Sequence, residues 1–370
     1  MQKKFDFNDI LLIPKVTTEI NSRKEVNPFT NNSQFILPLM TAPMDTIIDN
    51  FDNFDKNNIK KIQGFISNGI NLCLPRGLSN KTIDIINDLR NDFVNYNQKF
   101  NQHLTFQSLS LKEFDKRFLD YKNIKELKHK QYICIDIANG HMKSLLNSIT
   151  NAKRLHGDNL IIMAGNIGNP ETYKFFANIE TDYIRAGIGT GSICTTSKNV
   201  AIGYPLASLV KEIYEIKKKN GYQTKIVADG GMKDFSDIIK VLALGADYVI
   251  SGNIFNKSLE SFPTPYLFNK IPIKSYELSK FLLKNKFPLY KKYYGMSTKI
   301  VQRKWGKEEL RTSEGVVRTK RVEYTLDTWV ENFQDYLRSA MSYTNSRTLE
   351  DFKESEYVFI TENAYKRFDK

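Results

Sequence analysis

The sequence has little cysteine. Its 370 residues include three, Cys73, Cys134 and Cys194, separated by wide intervals. No CxxC pair is present, so the pattern predicts neither a structural zinc site nor a disulfide framework. A single cysteine in a globular protein is most often a small buried apolar side chain. Composition alone therefore gives none of the three a chemical role.

Long apolar runs are also lacking. No run approaches the roughly 18–20 residues that cross a bilayer, and residues 1–6 contain lysines and Asp6 where a signal peptide has an apolar core. The hydrophobic share of 41% and the charged share of 26% are those of an ordinary globular protein. We expect a soluble, cytoplasmic protein without a membrane partner.

The charge balance is strongly positive, with a formal net charge of +13. Such a charge is compatible with a nucleic-acid partner. However, the lysines are spread along the chain with only short runs, such as residues 217–219, and no basic segment alternates with aromatic residues. We therefore expect no nucleic-acid partner, and note that a positive field also suits small molecules that carry phosphate.

Short apolar, β-branched runs alternate with segments of helical length. Continuous apolar strands between helices are typical of a parallel sheet covered on both faces. Eight such units favour a (β/α)8 barrel, with an open doubly wound sheet as the alternative. The predicted strands are residues 35–41, 70–74, 104–108, 132–137, 160–164, 183–186, 225–228 and 248–251, and the helices include 82–95, 142–154, 170–178, 206–220 and 236–244.

The alternation stops after the eighth predicted strand. Residues 255–325 contain four prolines and many Lys and Tyr residues, and a long excursion at this point is typical of an active-site flap. A disordered insertion is the alternative. Residues 326–343 carry an apolar stripe and predict a helix that closes the barrel. We expect residues 1–370 to form one barrel domain with this flap.

Chemically functional residues directly follow several predicted strands. In a barrel, the carboxyl ends of all strands meet on one face, which carries the active site. The later turns are rich in glycine, and barrels commonly bind phosphate there through backbone N–H groups. These segments are residues 42–45, 136–140, 165–166, 187–196, 229–231 and 251–253.

The loop of residues 187–196 reads Gly-Ile-Gly-Thr-Gly-Ser-Ile-Cys-Thr-Thr. Its three glycines permit tight turns and leave carbonyl groups unshielded, so they can bind a monovalent cation. Such a loop packs poorly as core, which favours a functional role for Cys194. A thiolate is the nucleophilic form of cysteine. Cys194 is therefore the candidate nucleophile, with Thr196 close to its sulfur and Ser192 available for phosphate.

Three acidic residues are further candidates. Asp229 precedes Gly230 and Gly231 and offers a carboxylate for a ribose diol, with a tight turn as the alternative role. Asp136 can orient an amide or ring nitrogen, or cap a helix. Glu314, in the flap, can act as acid or base, although a glutamate in a polar loop is usually only solvated.

Seven segments resemble the IMP dehydrogenase/GMP reductase family, in the order that the family has them. One glycine motif would be weak evidence, whereas seven in order are specific and extend over most of the chain. The segments are residues 7–14 (Phe-Asn-Asp-Ile-Leu-Leu-Ile-Pro), 41–45 (Thr-Ala-Pro-Met-Asp), 136–140 (Asp-Ile-Ala-Asn-Gly), 163–166 (Met-Ala-Gly-Asn), the loop around Cys194, 228–231 (Ala-Asp-Gly-Gly) and 294–297 (Tyr-Gly-Met-Ser).

The chain is more similar to the reductase branch of this family. Residues 311–315 (Arg-Thr-Ser-Glu-Gly) resemble the reductase flap motif with its catalytic glutamate, and residues 203–205 (Gly-Tyr-Pro) are also reductase-like. The dehydrogenase flap carries an Arg-Tyr pair that activates water, where residues 303–305 read Arg-Lys-Trp. The regulatory modules that many dehydrogenases insert after the second strand do not fit between Leu74 and Leu104.

The resemblance implies reduction of GMP by NADPH to IMP, with release of ammonia. Cys194 would attack C2 of the guanine, while Thr196 and Glu314 would relay the proton that the leaving amino group needs. Hydride from NADPH would then reach C2 of the thioimidate and expel Cys194. The alternatives are an IMP dehydrogenase that forms XMP with NAD, a member that acts on a deoxy or modified purine nucleotide, and a nucleotide-binding protein without activity.

The resemblance also assigns binding residues and a homotetramer, in which residues near both ends of the chain reach the cofactor of a neighbouring subunit. Carbonyl groups of Gly189, Gly191 and Cys194 would bind a potassium ion. The substrate residues would be Ser192, Asp229, Gly230, Gly231, Gly252, Asn253, Gly295, Met296, Ser297, Arg311, Ser313 and Gly315. The cofactor residues would be Ser22, Arg23, Arg76, Asp136, Ile137, Ala138, Ile188, Gly189, Ser339, Ala340, Met341 and Ser342.

The chain departs from the family pattern in several places. Residues 73–77 (Cys-Leu-Pro-Arg-Gly) replace a His-Lys pair whose lysine assists catalysis, and Arg76 is not an equivalent proton donor. Asn253 replaces the second glycine of a phosphate turn, and Ser197 replaces an arginine near the potassium site. Residues 263–289 match little of the family pattern. These departures make deoxy and modified purine nucleotides relevant substrates to test.

Overall fold

The computed structural model of the chain describes residues 3–30, 33, 35–96, 103–120, 126–191, 194, 196–295, 298, 301 and 317–368. Its strands are β1 (Ile10–Leu12), β2 (Leu39–Thr41), β3 (Leu72–Leu74), β4 (Thr105–Leu109), β5 (Gln131–Asp136), β6 (Leu160–Ile167), β7 (Tyr183–Ala186), β8 (Lys225–Asp229), β9 (Tyr248–Ser251), β10 (Tyr266–Leu267), β11 (Ile271–Pro272), β12 (Leu289–Tyr293), β13 (Arg318–Arg321) and β14 (Tyr357–Phe359). Its helices are α1 (Lys56–Ser67), α2 (Asn80–Tyr96), α3 (Leu111–Phe118), α4 (Lys143–His156), α5 (Thr172–Asn178), α6 (Thr196–Val200), α7 (Leu206–Asn220), α8 (Phe235–Ala243), α9 (Asn253–Lys257), α10 (Tyr276–Lys284), α11 (Leu326–Tyr343), α12 (Leu349–Phe352) and α13 (Glu362–Phe368).

Strands β2 to β9 form a parallel barrel. Their order in the sheet is β2-β9-β8-β7-β6-β5-β4-β3, and a parallel bridge between Met40 and Asn71 joins the two ends. The backbone N–H of Thr41 donates to the carbonyl of Asn71 at 3.0 Å across this closure. The predicted (β/α)8 barrel is confirmed, and the open sheet is excluded.

The first barrel strand is shorter than predicted. The apolar run of residues 35–41 suggested one strand, but β2 begins at Leu39. Pro38 has no N–H group to donate to a neighbouring strand, so pairing on that side starts only after it. Its carbonyl nevertheless accepts from the N–H of Val249 at 2.9 Å. The whole segment therefore lies against the barrel wall, although only its second half is strand.

Side-chain caps and glycines define where the barrel helices begin and end. The carboxylate of Asp55 accepts from the N–H of Asn58 at the start of α1, at 3.0 Å. Asp234 caps α8 in the same way through the N–H of Asp237. Helix α7 ends at Gly221, whose φ of +69° is the left-handed conformation that glycine adopts without strain.

Helix α11 covers the barrel next to α8, as the apolar stripe of residues 326–343 predicts. Rings from the two helices stack: the centroid of Trp329 lies 5.0 Å from that of Phe235 and 5.3 Å from that of Phe333. Within the described ranges, no helix combines the length and the apolar character that crossing a bilayer requires.

The long excursion after β9 contains regular structure that the sequence did not predict. Strands β10 to β13 form an antiparallel sheet in the order β11-β10-β12-β13. With α10 this sheet encloses a small apolar cluster that includes Leu259, Tyr276, Leu289 and Val322. The described part of the excursion is thus a small α+β unit attached to the barrel, and β12 and β13 carry the chain into and out of the segment that contains Glu314.

Candidate active site

Cys194 is the one exposed thiol of the chain, since the other two cysteines, Cys73 and Cys134, are buried. Its Sγ lies 3.2 Å from Oγ1 of Thr196, the first residue of α6. Its N–H donates to the carbonyl of Gly191 at 2.9 Å, which folds the loop back on itself. Burial raises the pKa of Cys73 well above its ordinary value. The predicted nucleophile is therefore the accessible sulfur, with a hydroxyl beside it.

The Cys194 loop packs directly on the turn that follows β8. The hydroxyl of Thr190 donates to the carbonyl of Asp229 at 2.6 Å. A Cβ on Gly187 would lie 2.6 Å from the same carbonyl oxygen, and one on Gly230 would lie 3.0 Å from Oγ1 of Thr190. These glycines permit the close approach. The nucleophile loop and the predicted ribose turn are thus parts of one site.

A buried arginine connects the acidic groups of this site. Arg185, on β7, is 5% exposed. Its Nη1 donates to Asp136 at 2.8 Å, and its Nη2 and Nε donate to Asp229 at 2.7 and 3.1 Å. Asn166 also donates to Asp229, at 2.6 Å. Both carboxylates are therefore held in fixed orientations at the carboxyl ends of β5 and β8.

One part of the predicted cofactor set gathers around Asp136. Nε of Arg76 lies 3.4 Å from Oδ2 of Asp136, so the replacement for the family's His-Lys pair does reach the site. The carbonyl of Ile137 accepts from the N–H of Asn166 at 3.0 Å. The side chain of Ile188 lies at the edge of the same region, next to Gly168. Ala138 follows Ile137 and is exposed, and Gly189 has a φ of +73°.

The other part of the predicted cofactor set forms a second group. Nη1 of Arg23 donates to Oγ of Ser339 at 3.2 Å, and Ser342 donates to the carbonyl of Ser339 at 2.8 Å. Ser22 caps the short helical turn that Arg23 begins, and Ala340 is partly exposed. Met341 is fully buried and belongs to the hydrophobic core, so its side chain faces the core side of α11, and its place in the cofactor set stays a prediction.

The predicted phosphate turns lie at the carboxyl ends of β8 and β9. Gly231 has a φ of +82°. A Cβ on Gly252 would lie 2.8 Å from Sδ of Met44 and 3.5 Å from the hydroxyl of Tyr293. Asn253 begins α9, and Gly295, which follows β12, accepts from the hydroxyl of Thr298 at 2.8 Å. Strand β12 therefore brings Gly295, the first residue of the predicted base-contacting segment, to this side of the site.

Several predicted site residues lie outside the described residues. They are the catalytic candidate Glu314 and the substrate candidates Ser192, Met296, Ser297, Arg311, Ser313 and Gly315.

The predicted potassium ligands are neutral backbone carbonyls. Gly189, Gly191 and Cys194 belong to the loop that the Cys194–Gly191 hydrogen bond closes, and carbonyl oxygens in such a loop suit a monovalent cation. The replacement residue Ser197 packs against this loop, because its Oγ lies where a Cβ on Gly189 would be. In the part of the chain that is described, no group of three or more His, Cys, Asp or Glu side chains is arranged to hold a metal ion.

Arg185 and Lys320 were not among the predicted site residues. Arg185 interrupts an apolar strand, and a charged residue inside a barrel strand is a signal of an interior polar cluster. Lys320 stands among other basic residues in an exposed-looking strand, and the sequence contains no sign that it contacts Asn253. Only the pairing of β12 with β13 brings it there.

A family model for the IMP dehydrogenase/GMP reductase domain matches residues 120–368. This match covers the Cys194 loop and strands β5 to β14. The chain belongs to the IMP dehydrogenase/GMP reductase family. This match confirms the predicted family and the predicted barrel, and it confirms the prediction that the protein is an oxidoreductase.

Curated relatives match the chain over nearly its whole length. A GMP reductase of Bacillus licheniformis is 28% identical over 376 aligned residues, which cover 99% of this chain and 98% of the relative. A GMP reductase of Streptococcus pneumoniae is 27% identical, covering 98% and 96%, and one of Bacillus thuringiensis is 27% identical, covering 99% and 98%. The similarity therefore includes the excursion after β9 as well as the barrel.

Proposed function

We propose that the protein catalyses the NADPH-dependent reductive deamination of GMP to IMP, with release of ammonia. The observation that carries the proposal is the exposed Cys194 thiol, 3.2 Å from the Thr196 hydroxyl, on a loop bonded to the Asp229 turn. The similarity to GMP reductases over the full chain supports the choice of substrate, as does the flap motif around Glu314.

Cys194 forms the covalent intermediate. Its thiolate attacks C2 of the guanine, the C2–S bond forms, and the C2–N bond breaks as the amino group leaves with a proton. Thr196, beside the sulfur, and Glu314, from the flap, relay that proton. In the second half a C2–H bond forms with the hydride that the bound cofactor would supply, the C2–S bond breaks, and Cys194 leaves as a thiolate, which yields IMP. A covalent route replaces one difficult displacement by two easier steps.

Two groups of residues would hold the cofactor, which supplies the hydride when bound. Arg76 and Asp136 provide a guanidinium and a carboxylate at the barrel mouth, a donor and acceptor set that fits the nicotinamide ribosyl end. Ser22, Arg23, Ser339, Ala340 and Ser342 form the second group, and we propose that a neighbouring subunit of a homotetramer contributes it. The carbonyls of Gly189, Gly191 and Cys194 would bind potassium. Water must be excluded, because its attack on the thioimidate would give XMP.

The test is to incubate the purified protein with GMP and NADPH while following the loss of NADPH absorbance and the release of ammonia in equal amounts. Cys194→Ser should reduce turnover by at least about 1000-fold while still binding IMP, which shows that the fold is intact. Parallel reactions with dGMP and with base-modified nucleotides determine the preferred substrate. Absence of turnover with all of them, or NAD reduction driven by IMP, would refute the proposal.

A further inference from the structure

Strand β13 brings an unassigned lysine to the turn that follows β9. Lys320, on β13, lies opposite Lys291 of β12 in the antiparallel pair that these two strands form. Its ammonium donates to Oδ1 of Asn253 and lies 4.4 Å from the ring centroid of Tyr293. The Tyr293 hydroxyl in turn points to Gly252, 3.5 Å from where a Cβ on that glycine would be. Lys320 thus belongs to the immediate surroundings of the Gly252–Asn253 turn.

The charge of Lys320 is poorly compensated. Among the described residues it forms no ion pair with a carboxylate, and its oxygen partner is the neutral amide of Asn253. Burial, together with the nearby cations Lys257 and Arg318, lowers the pKa of Lys320 to about 8, while Glu323 acts in the opposite direction. Glu323 is itself paired with Lys257 at 3.0 Å. A half-buried ammonium in this setting gains most from an anionic ligand.

We propose that Lys320 binds the 5′-phosphate of the purine nucleotide, together with the Gly252–Asn253 turn. The inference rests on the proposed function for the identity of the nucleotide, and it assigns the phosphate contact to a side chain from the excursion after β9. A lysine is a compact cation that suits a phosphate oxygen. Asn253 holds the ammonium in place beside the turn before the nucleotide binds.

This arrangement also explains a departure from the family pattern. Where the family has a second glycine, Asn253 accepts from Lys320, so the residue that departs from the pattern is the one that positions the cation. Lys320 acts in binding and not in the chemical steps, since it lies on the β9 side of the site with Tyr293. Its loss should therefore raise KM for GMP and leave kcat nearly unchanged.

The test compares Lys320→Met and Lys320→Arg with wild type by calorimetric titration with GMP, IMP, guanosine and inorganic phosphate. Lys320→Met should weaken both nucleotides and inorganic phosphate by about 10- to 100-fold and leave guanosine unchanged, while Lys320→Arg should retain most of the affinity. The control is Lys292→Met, which removes a positive charge from an exposed position of the neighbouring strand β12. It should change none of the affinities by more than about twofold.

A pH series supplies a second readout. The side-chain amine of Lys320 must be protonated to bind phosphate. Wild-type affinity for GMP should therefore fall as the pH rises through about 8, the pKa of Lys320. Lys320→Arg should remove this fall, because arginine stays protonated. The other charges that face Lys320, those of Lys257, Arg318 and Glu323, are the same in both proteins.

Unchanged GMP affinity in Lys320→Met would overturn the inference, and so would an equal loss of GMP and guanosine. These results are distinguishable from a failure of the proposed function. If the protein binds IMP in a Lys320-dependent manner but does not reduce GMP, the phosphate site stands and the reaction is wrong. If GMP is reduced with an unchanged KM in Lys320→Met, the reaction stands and the phosphate assignment is wrong.

Discussion

Replacement of Arg185 by methionine tests the polar core of the site most severely. The change removes a side chain that is only 6% exposed and whose guanidinium makes three hydrogen bonds to two carboxylates. The Asp136 and Asp229 side chains are only 15% and 13% exposed, so water replaces little of the lost interaction. Breaking one side of a buried ion pair costs about 3–5 kcal/mol.

In Arg185→Met each carboxylate keeps one other partner, so we expect a loss of stability in the lower part of that range. Asp136 keeps Arg76 at 3.4 Å, and Asp229 keeps Asn166 at 2.6 Å. We therefore expect Arg185→Met to lower the free energy of unfolding by about 3 kcal/mol. Arg185→Lys keeps the charge but lacks the planar fork that reaches both carboxylates, so it should lose about half as much.

The assay is urea denaturation followed by far-UV circular dichroism at pH 7. The control is Arg117→Met, because Arg117 is exposed and its guanidinium donates to the neutral side chains of Gln107 and Gln131, at 2.8 and 2.9 Å. It should cost about 1 kcal/mol. Adding Asp229→Asn to Arg185→Met should restore part of the loss. Equal costs for the Arg185 and Arg117 variants would refute the reasoning.

Three further variants test other buried groups by the same denaturation assay. Burial raises the pKa of Asp237 from 3.8 to about 6. Between about pH 4 and pH 6 the folded chain therefore binds more protons than the unfolded chain, and the free energy of unfolding falls as the pH rises. Asp237→Asn should remove this slope and be more stable than wild type at pH 7. Although burial opposes its charge, Lys353 at 2.7 Å and other lysines hold the pKa of Asp247 well below its ordinary value, so Asp247→Asn should cost about 3 kcal/mol. Gly245 has a φ of +116°, and a Cβ there would lie 2.2 Å from Tyr214, so Gly245→Ala should cost more than about 2 kcal/mol.

Each of these expectations has a clear contrary result. An Asp237→Asn variant with an unchanged pH slope would show that this carboxylate titrates normally. A cost below about 1 kcal/mol for Asp247→Asn would mean that the lysines are solvated rather than paired. A neutral Gly245→Ala variant would mean that the turn before β9 relaxes freely.

The barrel strands were predictable because each is a short apolar run with its own local signal. All eight lie within a few residues of the predicted ranges, and the ends that differ have local causes such as Pro38. The antiparallel unit after β9 was not predictable in the same way. Two of its strands have only two residues, and β12 pairs with β13 across a segment distant in sequence, so their partners are defined only by tertiary contacts.

Candidate site residues could be predicted where a local sequence motif marks them. Contacts between residues that are far apart in the sequence could not be predicted. The Cys194 loop and the Asp229 turn are recognisable from the glycines in their own sequence segments. The Arg185 bridge joins β5, β7 and β8, and the Lys320–Asn253 contact joins residues 67 positions apart. A sequence pattern does not contain such distances. Met341 shows a further limit, since the motif that placed residues 339–342 in the cofactor set did not reveal that this side chain faces the core.

The most direct test of the central claim is to locate the covalent adduct. The protein is incubated with GMP, quenched in acid, digested and analysed by mass spectrometry, with Cys194→Ser as the control. The account predicts a purine-nucleotide adduct on the peptide that contains Cys194, absent from the variant and lost when NADPH is added before quenching. An adduct on Cys73 or Cys134, or turnover of GMP by Cys194→Ser at the wild-type rate, would contradict it.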